Sequence, residues 1–187
     1  ISENSLEKST LIGHSLGGSI SLWLAADGKY DFNKIIVIDA LPSIGALMMP
    51  NFKSENMRYD SPYNNKVLAM DEQAFGAMAT NMSYGMTSDK DKQQLIKDWI
   101  LMADKETYVY GYTDLLKLDL REGISKIKVP VTLITATKPY GEAAAKQTVE
   151  TQYKNLSNYT IKYADSAHFI MYDQPEWLLN QIKTELE

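Results

Sequence analysis

The chain has 187 residues, 44% of them hydrophobic and 10% aromatic, with a formal net charge of −5 at pH 7. That composition supports one globular core. The acidic balance, with no basic patch interleaved with aromatics, argues against a nucleic-acid surface, and no stretch approaches the roughly 18 to 20 apolar residues of a membrane span. Cysteine is absent, which excludes disulfides, thiol catalysis and cysteine-ligated zinc but leaves the compartment undecided. Two histidines, His14 and His168, are too few for a histidine-rich metal site.

In chain order, residues 1–8 read as the end of a helix feeding a short strand, Thr10–Gly13. The strand runs into Gly13-His14-Ser15-Leu16-Gly17-Gly18, and a helical pattern with Ile20, Trp23 and Leu24 follows over Gly18–Asp27. A serine on so sharp a turn needs neighbours without Cβ, because the strand before it and the helix after it crowd together. The helix N-terminus beneath such a serine favours developing negative charge. The bland alternative is a glycine-rich strand-to-helix turn with no chemistry.

Lys34–Asp39 is a short continuous apolar run, the pattern of a strand buried on both faces of a parallel sheet. Val129–Thr135 is a second, with Pro130 near the strand start where it is tolerated, and Thr160–Ala164 is a weaker third. Helices are predicted over Glu142–Leu156 and Pro175–Leu186, the latter with Asp173 as N-cap and Pro175 in its first turn. Strands alternating with helices predict an α/β chain with a parallel sheet and crossover helices. There are no internal repeats and no low-complexity segments.

Between Asp39 and Val129 no strand signal occurs. Helical periodicity appears over Asp71–Met82 and Asp89–Met102, with turn signals at Asp60-Ser61-Pro62 and Ser83–Ser88. A structureless loop of that length is improbable in a compact domain, so a helical lid is expected. Of nine methionines, Met48, Met49, Met57, Met70, Met78, Met82, Met86 and Met102 fall here. Flexible, polarizable side chains in a lid suggest an apolar, adaptable binding pocket; packing within small helices explains them equally well residue by residue.

The serine motif in its strand–turn–helix setting resembles the nucleophile elbow of the α/β-hydrolase family. Tyr163-Ala164-Asp165-Ser166-Ala167-His168, ahead of a terminal helix, is similar to the family's last strand and histidine loop. The resemblance covers essentially the whole chain. It implies an α/β-hydrolase fold, a mostly parallel sheet with flanking helices and a helical cap, divided as core 1–41 and 120–187 with cap 42–119. In that family the elbow follows the fifth strand. The first strands, and the loop carrying one oxyanion donor, are therefore expected upstream, in an N-terminal segment of a longer protein that is the chain's expected partner. Expressed alone, the chain is expected to aggregate or to stay inactive, because a strand edge and an oxyanion donor would be missing.

A serine hydroxyl is a poor nucleophile until a base removes its proton. Ser15 is the candidate nucleophile and His168 the candidate base; His14 is expected to pack and hydrogen-bond beneath the site. The acid that orients the histidine is open. Where the family usually carries it, in the segment Thr135–Glu142, this chain has Pro139. Asp39, at a strand end where some members carry their acid, is one candidate; Glu142, a few residues past the usual position, is the other; neither is the third possibility. Asp165 reads as a turn residue. The Leu16 backbone N–H is the expected oxyanion donor. The resemblance thus implies hydrolysis of a carboxylic ester with a small or medium apolar acyl group, with thioesters and activated amides open and no cofactor or metal. A serine in place of a carboxylate argues against dehalogenase chemistry. The competing reading is an α/β-hydrolase fold kept for binding a ligand or partner, its chemistry lost.

Overall fold

The apolar runs become a single sheet. In the computed structural model, which describes residues 1, 6 and 8–187, the strands are β1 (Thr10–His14), β2 (Lys34–Ile38), β3 (Val131–Ala136) and β4 (Tyr159–Ala164). They lie side by side in sequence order, and every pairing is parallel. The helices are α1 (Leu16–Asp27), α2 (Ile44–Met48), α3 (Pro62–Leu68), α4 (Glu72–Tyr84), α5 (Lys90–Met102), α6 (Lys105–Lys117), α7 (Glu142–Gln152), α8 (Ile170–Asp173) and α9 (Pro175–Leu186). Parallel neighbours cannot be joined by a hairpin, so α1 carries the chain from β1 to β2 and α7 carries it from β3 to β4.

Alternate residues of β2 explain why its run is apolar throughout. Ile35 and Val37 pack with Leu22 and Ala26 of α1, with Val149 of α7 and with Tyr153 just past its end. Ile36 and Ile38 face the opposite side and pack with Ile170 and with Leu178 of α9. A strand covered by helices on both faces has no polar face to display. β1 pairs only with β2 among the described residues, and Ile12, Ile20 and Trp23 are half-exposed.

The long segment between β2 and β3 is helical, as its periodicity indicates. Its five α-helices all open on capping side chains: Ser43, Ser61, Asp71, Asp89 and Asp104 accept from backbone N–H groups of the first turns of α2, α3, α4, α5 and α6. Val67, Phe75, Ala79, Ile96, Ile100 and Val109 form a core of their own, against which Phe169 and Tyr172 pack. The segment leaves and rejoins the sheet at one place, where the Leu120 N–H donates to the Pro42 carbonyl at 2.9 Å.

The helix end expected over residues 1–8 lies largely outside the described residues, and boundaries differ from the sequence reading in a few places. α1 starts at Leu16, directly on the serine turn, β3 starts at Val131 after Pro130, and α7 stops at Gln152. Asp173 does not cap α9. Its carboxylate is taken up by Thr87, Ser88 and Ala167, and Gln174 stands at the N-cap without a side-chain bond.

The C-terminal helix is fastened to the sheet by one carboxylate. Glu185 accepts from Thr132 Oγ1 at 2.8 Å and pairs with Lys162 at 2.8 Å and Lys34 at 3.2 Å. Lys162, opposed by desolvation and aided by Thr132 and Lys34, draws the Glu185 carboxyl down to about 2 from its ordinary 4.5. A depressed folded-state value means that the stability it contributes is complete above about pH 4.5 and is lost as pH falls towards about 2. We expect Glu185→Gln to lower the unfolding midpoint at neutral pH and to flatten the acid limb of a stability–pH curve. Thermal unfolding of both proteins across that range checks it; parallel curves would contradict it.

Candidate active site

Ser15 sits between the last residue of β1 and the first of α1, with φ 53° and ψ −123°. For a residue with a Cβ that conformation costs about 1 to 3 kcal/mol and persists only where the surroundings impose it. They do so here through the Ser15 N–H, which donates to Ile38 O at 3.0 Å, and the Ser15 carbonyl, which accepts from Gly18 N at 2.9 Å and Ser19 N at 3.1 Å. A Cβ on Gly13 would lie 2.2 Å from Gly17 O, and one on Gly18 would lie 2.6 Å from Ala40 Cβ. Gly17, expected to be equally confined, faces open space. The crowding is between the β1 end and the α1 backbone, and between α1 and the loop after β2. Gly13→Ala is therefore expected to destabilise the chain by about 2 kcal/mol or more, whereas Gly17→Ala leaves stability within about 1 kcal/mol. Denaturant unfolding separates the two, and equal effects would contradict the assignment.

Asp39 follows β2 with φ 43°, a turn that carries its side chain over the end of β3. Its N–H donates to Ile134 O at 2.7 Å, and its Oδ1 accepts from the Ala136 N–H at 2.9 Å. Oδ2 lies 2.6 Å from His168 Nδ1. Because a carboxylate only accepts, Nδ1 carries the proton, and Nε2 of the neutral ring keeps its lone pair. The Tyr153 hydroxyl, its ionisation pushed far up by complete burial, donates to Ala40 O at 2.7 Å and braces the loop just past Asp39.

His168 follows β4 on the loop Asp165–Phe169. His14 lies beneath it: Nε2 donates to the His168 carbonyl at 2.9 Å, and the two rings are 4.6 Å apart. Burial, with His168 beside it, holds the His14 imidazole below the ordinary histidine range.

Ser15, Asp39 and His168 line one cavity of about 270 Å³. No hydrogen bond joins the Ser15 hydroxyl to the His168 ring. The rest of the wall includes Leu41, Ile44 and Leu47 (the last two of α2), Leu115 of α6, and Ala144, Ala145 and Val149 of α7. No methionine is among the cavity-lining residues. Met70, Met78, Met82 and Met86 instead pack around the core of the helical segment, and Met102 is exposed. The α4 methionines thus face neighbouring helices rather than this cavity, while Met48, like Met102, is exposed.

Leu16 opens α1, where the first-turn N–H groups have no acceptor within the helix. Glu142, the alternative acid, is exposed at the first residue of α7, is not among the residues that line the cavity and has no bond to His168. Asp165 is exposed and pairs with Lys138 at 3.3 Å. Among the described residues no group of three or more His, Asp or Glu side chains is arranged to hold a metal ion, and no helix is long and apolar enough to cross a membrane.

No protein-family model and no curated protein sequence matches the chain. Solved structures do. An esterase from Exiguobacterium antarcticum superposes with a TM-score of 0.75 at 18% identity, covering 99% of this chain and 69% of its own. An enol-lactonase from Burkholderia xenovorans gives 0.73 at 16%, with coverages of 98% and 67%. A thermophilic esterase from Thermogutta terrifontis gives 0.75 at 16%, with coverages of 99% and 66%. This chain thus spans about two thirds of the length of each. The parallel sheet with helices on both faces, the strained serine turn after β1 and this agreement over nearly every residue together establish that the chain has the α/β-hydrolase fold.

Proposed function

We propose that the chain is a serine hydrolase that cleaves a carboxylic ester carrying a small or medium apolar acyl group, through an acyl-enzyme. The observation that carries this reading is the 2.6 Å contact of Asp39 with His168 Nδ1, on the wall of the cavity that Ser15 also lines. Ser15 Oγ attacks the ester carbonyl carbon as His168 Nε2 takes its proton; the tetrahedral intermediate collapses, and His168 returns the proton to the leaving alcohol. Water, deprotonated by the same nitrogen, then frees the acid and restores Ser15. Asp39 holds the imidazole tautomer and favours the imidazolium that forms. For the proton to move, the Ser15 hydroxyl has to come within hydrogen-bond range of Nε2, a contact that commonly tightens only when substrate is bound.

The oxyanion is met by the Leu16 N–H at the start of α1, and the second donor belongs to the expected upstream segment. Residues 42–119 act as the cap over a core made of 1–41 and 120–187. The acyl group occupies the apolar part of the cavity between α2 and α7, whose volume of about 270 Å³ suits a short chain. The esterases and the lactonase of like fold agree with an ester substrate. The rival reading, a fold kept for binding alone, drew on the missing carboxylate after β3; the Asp39 carboxylate against His168 supports the catalytic reading instead. Exposure to a fluorophosphonate followed by peptide mass spectrometry tests the proposal: the adduct is expected on Ser15, and an intact Ser15 peptide after full inhibition would overturn it.

A further inference from the structure

The loop that carries His168 is fastened on both sides to the turn between α4 and α5. The Phe169 N–H donates to Met86 O at 2.7 Å. On the other side, the Ala167 N–H donates to Asp173 Oδ2 at 2.8 Å, while Asp173 Oδ1 accepts from Thr87 Oγ1 at 2.6 Å and from the Ser88 N–H at 2.9 Å. One carboxylate thus bridges the residue before His168 to the helical segment above the cavity. Phe169 and Tyr172 stack with centroids 5.5 Å apart and pack against the core of that segment, so the loop and the helices share one apolar contact as well. Burial works to raise the Asp173 carboxyl, but the bonds from Thr87, Ala167 and Ser88 outweigh it and leave it below the usual range. Asp173 is therefore ionised, with both oxygens committed.

Nothing in the reaction uses Asp173 directly. Asp39 fixes the direction of the His168 ring, but a ring is placed only as well as the backbone that bears it. That backbone is held by His14 at the His168 carbonyl, Asp173 at Ala167, Met86 at Phe169 and, nearer β4, the Lys138 N–H at the Ser166 carbonyl. The bonds on either side of His168, at Ala167 N–H and Phe169 N–H, are the ones that lead to the helical segment. We propose that Asp173 is a positioning residue that ties the Met86–Ser88 turn to the histidine loop, so that the seating of the helical segment over the cavity sets where His168 stands relative to Ser15. The proposal rests on His168 being the base. A misplacement of about 1 Å in such a group costs on the order of a hundredfold in rate.

The test uses Asp173→Asn and Thr87→Val, singly and together, in a longer form that contains the 187-residue chain with its expected upstream segment. Asn presents an NH₂ group to donors on one side or the other and must lose at least one bond; Val keeps the shape of Thr87 and removes its hydroxyl's bonds to Asp173 and from the Asp89 N–H, leaving the Ser88 N–H as the remaining link from the turn to Asp173. Each single variant is expected to lower kcat per fluorophosphonate-titrated site, about 10- to 100-fold for Asp173→Asn and about 3- to 10-fold for Thr87→Val. KM stays within about twofold, because no substrate contact changes. The pair is expected to be non-additive, as for residues sharing one bond. Amide hydrogen exchange at Ala167 should quicken in both variants, a readout that needs no turnover. Normal kcat and normal exchange in Thr87→Val, or strictly additive losses, would overturn the tether even with Ser15 dependence intact. Turnover that survives Ser15→Ala would instead defeat the hydrolase reading, and Ala167 exchange would still decide whether the tether exists.

Discussion

Ser15→Ala is expected to reduce ester hydrolysis by about four orders of magnitude or more in kcat, because no acyl-enzyme can form without the hydroxyl. The residual rate comes from binding and from the Leu16 N–H, which the substitution leaves in place. Stability is expected to hold or rise slightly: alanine keeps the strained φ of 53° but gives up no side-chain hydrogen bond, since the Ser15 hydroxyl caps nothing in α1. Turnover of p-nitrophenyl esters, together with fluorophosphonate labelling, checks both parts. Full labelling of the variant would move the nucleophile elsewhere.

Asp39→Asn is expected to lower kcat by roughly three to four orders of magnitude with KM little changed. An amide at that place keeps the shape but upsets the proton arrangement. If its oxygen faces Ala136 N–H, its NH₂ faces His168 Nδ1; the ring then puts its lone pair on Nδ1 and its proton on Nε2, where it cannot accept the Ser15 proton. The loss should therefore appear in the chemical step, and nearly all of it should be shared by kcat and kcat/KM. Glu142→Gln, at an exposed helix start, is the matched control and should fall within about twofold of the parent. The reverse ranking would transfer the orienting role to Glu142.

Much of this architecture is local and could be read from the chain. The four apolar runs, the glycine-flanked serine and the helical spacing of residues 71–102 are each imposed by interactions within a few residues, so pattern alone locates them. Pro175 acts on its own helix turn for the same reason. The overextended end predicted for α7 has the opposite origin: nothing local stops a helix at Gln152, but Tyr153 is drawn into the core and bonds Ala40 O.

The chain order also fixed which residues were candidates. It did not fix which carboxylate meets the histidine. Asp39 and Glu142 are both near strand ends on the sequence, and the usual acid position holds Pro139. Only the parallel register of β2 and β3, with Asp39 N–H on Ile134 O and Asp39 Oδ1 on the Ala136 N–H, carries the Asp39 carboxylate to His168 Nδ1. In the same way Asp173 read as a helix cap, the role its neighbours suggest, and became a bridge because Thr87, far away in the chain, folds against it. The methionines follow this rule too: their number is a property of the sequence, but whether they face a ligand or one another depends on how α4, α5 and α6 pack. Propensity and periodicity are properties of neighbours along the chain, while hydrogen-bond partners and cavity walls join residues that the chain holds far apart. Those were decided by tertiary packing alone.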